Sequence, residues 1–159
     1  MNAFQRTFAV ASLGLTAIAT SAAADDMATV QTFYDLLSNP GSETHVAAFL
    51  GATSESWESV GNYSGENESR DEFVGQMGFF SQLIPDLDWS VQAMHQDGDF
   101  VTVRSRATGT PTGPFFGVDG EGRSFDILTI DIHELDDGVV VRTYHVEDWA
   151  SALQQLSGQ

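Results

Sequence analysis

The chain contains no cysteine, no lysine and only four prolines in 159 residues. Without cysteine there is no disulfide framework, no thiolate metal site and no cysteine nucleophile, so stability must come from core packing. Without lysine there is no phosphate loop, and neither a Gly-x-Gly-x-x-Gly turn after a strand nor a Gly-x-Ser-x-Gly elbow is present. Positive charge is scarce as well. Six arginines stand against 23 acidic residues, for a formal net charge of −17. Such a surface repels phosphate backbones and anionic lipid, which argues against a nucleic-acid or membrane partner. The excess reads as a solvated, soluble surface, the alternative being a device that attracts cations.

One uncharged apolar run stands out, and it lies at the start. Residues 1–6 carry Arg6, residues 7–20 are apolar and uncharged, and Ser21-Ala22-Ala23-Ala24 offers small residues for a signal peptidase. The run is shorter than the ~20 residues a spanning helix needs. The expectation is a signal peptide cleaved after Ala24 and a periplasmic or secreted product. Removing residues 1–24 leaves one domain, 25–159, with five arginines against all 23 acidic residues.

Periodicity divides that domain in two. Met27, Val30, Phe33, Tyr34 and Leu37 recur at helical spacing up to Ser38-Asn39-Pro40-Gly41. Ser42 caps a second short helix with Val46, Phe49 and Leu50. A brief extended segment is expected around Trp57, and a loop over residues 61–69. Ser69 and Glu72 form a capping box for a third helix that Pro85 ends.

The pattern then alternates. Trp89, Val91, Ala93 and His95 are expected on one strand face, and Val101, Val103, Ser105 and Ala107 on the return strand beyond Asp97-Gly98. A Gly/Pro-rich connection follows over residues 109–122. Two more strands, about 124–134 and 139–147, meet across Asp136-Asp137-Gly138, before a short final helix. Helices followed by hairpin-linked strands predict an α+β fold, a curved antiparallel sheet wrapped around the N-terminal helices to leave a cone-shaped cavity.

The last two strands carry the candidate chemistry. A three-residue Asp-Asp-Gly loop would set Leu135 against Val139, Asp131 against Thr143 and Thr129 against His145. Thr129, Asp131, His133, Thr143, His145 and Glu147 then share a face with Phe125, Ile127 and Val141. A two-residue Asp137-Gly138 turn would instead put His145 among the isoleucines. An Asp within reach of a His on a half-buried face can shuttle protons, so Asp131 and His145 are the candidate catalytic pair. A satisfied structural pair, or one facing water, is the plainer alternative. Asp131-x-His133 opposite His145-x-Glu147 also has the donor types of a mixed nitrogen–oxygen metal site, but spacing that short is weak evidence and no metal is assigned. Arg104 is a candidate for orienting an anionic ligand, against ordinary pairing with carboxylates. Phe115 and Phe116 either line or cover a pocket mouth, or are buried as core plugs or in a dimer contact.

Several landmarks occur in a telling order. They are Ile84-Pro85-Asp86-Leu87, then Gly109-Thr110-Pro111-Thr112-Gly113 with Phe116-Gly117, then Gly122-Arg123-Ser124-Phe125 leading into Ile130-Asp131-Ile132-His133. Asp137-Gly138 and Tyr144-His145-Val146-Glu147-Asp148-Trp149 complete the set. Together they resemble the SnoaL-like polyketide cyclases, or ester cyclases, of the nuclear-transport-factor-2-like superfamily. The resemblance implies an α+β cone with a hydrophobic pocket, commonly a homodimer through the sheet, and an aspartate that acts as general acid/base without metal or cofactor. Asp131 matches that aspartate, with His145 and Thr143 lining the same pocket, and Thr129 and His133 on the shared face are further candidate ligand contacts. Pro111 stands where many relatives carry His, and export is unusual for polyketide cyclisation. The resulting expectation is an acid/base enzyme acting on a small apolar carbonyl compound. A non-enzymatic small-molecule binder and a dimerising structural domain are the competing readings.

Overall fold

The computed structural model describes residues 16–158, with side chains from Asp25 onward. Residues 1–15 of the candidate signal segment lie outside the described residues, and the expected cleavage point after Ala24 falls within the first helix. Two helices lead, α1 (Thr16–Ser38) and α2 (Glu43–Ala52); α3 (Arg70–Leu83) stands between the second and third strands, and α4 (Trp149–Ser157) follows the last strand. Six strands follow one another as β1 (Thr53–Val60), β2 (Glu68–Ser69), β3 (Asp88–Asp97), β4 (Phe100–Gly109), β5 (Phe125–Asp136) and β6 (Val139–Glu147).

The helix boundaries have local causes. Ser42 caps α2 by accepting from the His45 backbone N–H, and α3 opens on a complete capping box between Ser69 and Glu72. α1 buries Val30, Phe33, Tyr34, Leu36 and Leu37, the stripe that helical spacing brings to one side. Period-two alternation sorts the strands in the same way. β4 buries Val101, Val103, Ser105 and Ala107, while β5 buries every second residue from Phe125 to Leu135.

The strands form one curved, unclosed sheet in the order β2-β1-β6-β5-β4-β3, with the β3-to-β6 series antiparallel. The extended segment expected around Trp57 is an eight-residue strand, and it runs parallel to β6. The expected 61–69 loop ends in β2, which pairs antiparallel with β1. Phe33, Phe49, Trp57 and Phe73 pack where α1 to α3 meet the sheet: Phe33 stacks on Phe73 at 5.3 Å and Phe49 meets Trp57 edge-on at 5.4 Å.

Two bulges change the expected registers. The β5–β6 turn is two residues, not three. Asp137 and Gly138 both take positive φ, 49° and 78°, and Asp136 pairs with Val139. That turn alone would carry His145 to the outer face. The register shifts between Glu134 and Leu135, however: Leu135 pairs with Val140 and Glu134 with Arg142, so Val141 is the extra residue. Val140, not Val141, is buried, and Asp131 faces His145 rather than Thr143. In β3 a second bulge between Val91 and Ala93 turns His95 out, against the exposed Thr102, and Met94 in, against Val103.

The aromatic junction yields a stability test. Phe49 is fully buried and touches three other rings. Phe49→Ala should cost about 3–5 kcal/mol of unfolding free energy. Leu50→Ala, at a site 36% exposed, should cost well under half as much in the same urea titration.

Candidate active site

The inner faces of β5 and β6 present three cross-strand pairs: His133 with Thr143, Asp131 with His145, and Thr129 with Glu147. Tyr34, on the buried stripe of α1, reaches across them. Its hydroxyl donates to Asp131 Oδ2 at 2.9 Å and lies 2.8 Å from His133 Nε2. His133 Nδ1 is 3.0 Å from Thr143 Oγ1, which also accepts from Trp57 Nε1 at 3.1 Å. Thr129 Oγ1 accepts from Trp89 Nε1 at 3.1 Å. On the pocket side, His145 Nδ1 lies 2.7 Å from Glu147 Oε1.

A cavity of about 140 Å³ opens beside this array. A cavity of about 150 Å³ holds one benzene ring, so the space fits a group of that size. Phe33, Phe73, Phe80, Trp89, Phe116 and Trp149 supply aromatic wall, and Asp131, His145, Glu147 and Glu68 supply acid and imidazole groups. Neither Arg nor Lys lines it. Phe116 sits at the mouth, 66% exposed, in a turn pinned by reciprocal Phe115–Val118 backbone bonds at 2.9 Å each. That turn holds Phe116 at φ 46°, a left-handed conformation costly for an aromatic residue.

Environment separates the titrating groups. Burial pushes the Asp131 carboxyl up to about 7; the Tyr34 hydrogen bond and His145 oppose this, while Glu147 adds to it. Burial drives His133 down to about 3, helped by the nearby His145. Burial and the adjacent Asp131 raise Tyr34, so it stays a phenol. Burial disfavours a charged His145, but the Glu147 hydrogen bond and charge, with Asp131 and Glu68, outweigh it and raise this imidazole. Burial also raises Glu68.

Among the residues singled out from sequence, Asp131, His145 and Phe116 come together around the cavity. Phe115 does not line it. At 3% exposed it is wedged among Phe80, Phe125 and Trp149, the core-plug alternative. Thr129, His133 and Thr143 are fully buried behind the wall, where they satisfy one another, Tyr34 and two indoles. Arg104 lies on the opposite face beside Ile130, because alternation on β4 turns even-numbered residues outward. Among the described residues, no group of three or more His, Cys, Asp or Glu is placed to hold a metal ion.

Three contributors escaped the sequence reading of the site. Tyr34 read as one more apolar residue of α1, although a buried phenol requires a partner. Glu68 lay in a presumed loop. Gly61 carries no polar signal at all, yet a Cβ there would stand 2.9 Å from His145 Cε1 and Nε2. The imidazole can take its place only because residue 61 has no side chain.

The sequence matches the SnoaL-like polyketide cyclase family over residues 28–156, and the chain belongs to that family. Its fold is shared with solved structures of low sequence identity. A candidate SnoaL-like polyketide cyclase from Jannaschia sp. CCS1 is 21% identical, with a TM-score of 0.73 over 86% of this chain and 94% of that one. IdmH, a candidate polyketide cyclase from Streptomyces antibioticus, is 22% identical, with a TM-score of 0.70 over 82% and 97%. AclR, a candidate hydroxylase from Streptomyces galilaeus, is 20% identical, with a TM-score of 0.70 over 86% and 83%. No curated protein matches the chain.

Two measurements follow from the site. Folded Asp131 keeps its proton up to about 7, whereas the unfolded chain releases it in the ordinary carboxylate range. The native state binds the extra proton between those values, so this group makes stability fall as pH rises through that window. His133 acts oppositely, since it stays neutral in the fold down to about 3 and adds stability as pH rises toward the ordinary imidazole range. Asp131→Asn isolates the first effect. Its unfolding free energy relative to wild type should climb from about pH 4 to about pH 7 and then level, gaining on the order of 4 kcal/mol. A flat difference would mean that Asp131 ionises normally. Separately, Gly61→Ala should lower the His145 titration midpoint by displacing its ring from Glu147, with a melting-temperature loss of only a few degrees; an unmoved midpoint would remove Gly61 from the site.

Proposed function

We propose that this protein is an exported, cofactor-independent acid/base enzyme that acts beside the carbonyl group of a small, uncharged, largely apolar compound. One observation carries the reading: Asp131, poised to titrate near neutrality, lines an aromatic cavity directly opposite the His145–Glu147 pair. As a carboxylate, Asp131 removes a proton from the carbon next to the carbonyl, and the electron pair moves onto oxygen as an enolate. Protonated His145, held by Glu147, donates a hydrogen bond to that oxygen and lowers the cost of its charge. The enolate carbon then attacks a second carbonyl of the same molecule to close a ring, and Asp131 gives its proton to the new alkoxide. Return of the proton to a different carbon would make the same site an isomerase. The absence of Arg and Lys from the wall favours an uncharged substrate, and the cavity suits about one ring.

Two further parts of the reading concern address and assembly. The charge, apolar-run and small-residue pattern of residues 1–24 supports export with cleavage after Ala24. No described helix is long and apolar enough to cross a membrane. The outer sheet face exposes Leu128, Ile130, Ile132 and Val146, between 39% and 69% each, beside Arg104 and Arg142. An apolar face with arginines, in so acidic a chain, supports pairing with a second copy through this surface.

Hydrogen–deuterium exchange at the α-carbon of small cyclic ketones, followed by NMR, tests the chemistry even while the natural substrate is unidentified. Asp131→Asn should reduce exchange by about 10²-fold or more while ketone affinity holds. Exchange that survives the substitution would sink the acid/base reading, and binding with no exchange in wild type would leave a carrier. For the assembly, Ile130→Asp should convert a dimer to a monomer in sedimentation; a wild-type protein that sediments as a monomer refutes it.

A further inference from the structure

The groups behind the cavity wall are all buried, and their donors and acceptors can be counted. Trp57 Nε1 can only donate, so Thr143 Oγ1 accepts from it at 3.1 Å. Asp131 as a carboxylate can only accept, so the Tyr34 hydroxyl spends its one proton on Oδ2 at 2.9 Å. The 2.8 Å contact between Tyr34 and His133 Nε2 then requires the imidazole to donate. His133 is neutral, because full burial holds its proton affinity far below neutrality. A neutral ring that carries hydrogen on Nε2 has a bare Nδ1, which accepts the Thr143 hydroxyl at 3.0 Å. Every link runs the same way: Trp57 to Thr143 to His133 to Tyr34 to Asp131.

We propose that Tyr34, His133 and Thr143 form a one-way hydrogen-bond chain, anchored on the Trp57 indole, that keeps Asp131 Oδ2 as an acceptor and directs the proton Asp131 carries onto Oδ1. A proton on Oδ2 would point at the Tyr34 oxygen. Tyr34 would have to turn its own proton away, either to the buried, unpartnered Ser105 hydroxyl beside it or to His133 Nε2. In the second case His133 would have to move its hydrogen to Nδ1, and Thr143 would have to accept from both Trp57 and His133. The Thr143 proton would then lose its place in the chain. Protonation of Oδ1, which takes no side-chain hydrogen bond from the described residues, disturbs none of this. Tyr34, His133 and Thr143 are positioning residues, and they select which oxygen of the carboxyl does the work. The other charged groups facing Asp131, His145 and Glu147 on β6 and Glu68 on β2, lie on the cavity side, outside this chain.

The inference rests on Asp131 as the proton carrier, but its test needs no substrate. The test is ¹⁵N NMR of the ligand-free protein with labelled histidine, recorded from below to above the Asp131 titration. His45→Gln, His95→Gln and His145→Gln variants assign three signals and leave His133. The expected result is one neutral tautomer throughout, with hydrogen on Nε2 and Nδ1 bare on both sides of the titration. Hydrogen on Nδ1 at the low-pH end, or exchange between the tautomers, would overturn the one-way chain. Tyr34→Phe supplies a second readout: the Asp131 carboxyl ¹³C titration should shift upward, since the Tyr34 bond favours the charged form, and an unshifted midpoint counts against the proposal. If the chain reverses yet Asp131→Asn still abolishes α-proton exchange, the positioning role alone is wrong. If the tautomer is fixed but exchange survives Asp131→Asn, the catalytic reading fails while the chain stands as structure.

Discussion

Helix α1 can lie on the concave face of the sheet only because a single phenol satisfies two polar groups there. Asp131 and His133 are both essentially excluded from water, and leaving either without a partner would cost a few kcal/mol. Tyr34 reaches both within 2.9 Å. That contact fixes the rotation of α1 about its axis, and with it the ring of Phe33, one residue earlier, against Phe73 and in the cavity wall. The indoles of Trp57 and Trp89 do the same for Thr143 and Thr129. The polar groups of this inner face are therefore ordered from behind by a dry network, and the cavity in front inherits their positions.

Two strands supply groups of opposite bias. Burial raises the carboxyl of Asp131 toward neutrality, whereas Glu147 raises the imidazole of His145 against its own burial, so a carboxyl and an imidazole that each hold a proton more tightly than usual face each other across one strand pair. Such pairs can exchange roles during a reaction, each giving a proton where the other takes one. His133 lies two residues along the same strand from Asp131 and is held neutral, which separates a structural imidazole from one available to the cavity. The distinction between the two histidines is one of environment, not of residue type.

Registers decide whether these groups meet, and each is set by a single residue. A two-residue turn at Asp137-Gly138 would by itself send His145 to the outer face, and the bulge at Val141 brings it back. The sequence reading reached a shared face through a three-residue loop, so the face was right while the pairing was displaced by two residues. In β3 the bulge before Ala93 turns His95 away from the face of Trp89 and Val91, which strict alternation would have it share. Nothing in a valine or a glutamine marks a bulge. It arises where the strand must bend more sharply than regular pairing allows, a condition imposed by the rest of the sheet.

Local chemistry determined much of this protein before any tertiary contact is considered. Capping residues, helical spacing, period-two alternation and Asp-Gly turns are short-range effects, and they carried the α+β order, the main strands and the inward direction of Asp131. The order of the family's landmarks, too, is written along the chain. Tertiary structure decided the remainder, because burial and pairing belong to the assembled sheet. It set Tyr34 against Asp131 across 97 positions of sequence, drew Glu68 into an edge strand, and left Gly61 bare where His145 needs the space. It also turned Arg104 to the outside and Phe115 into the core. A side chain's type is fixed locally, but its proton affinity and its access to a cavity depend on neighbours that only folding brings near.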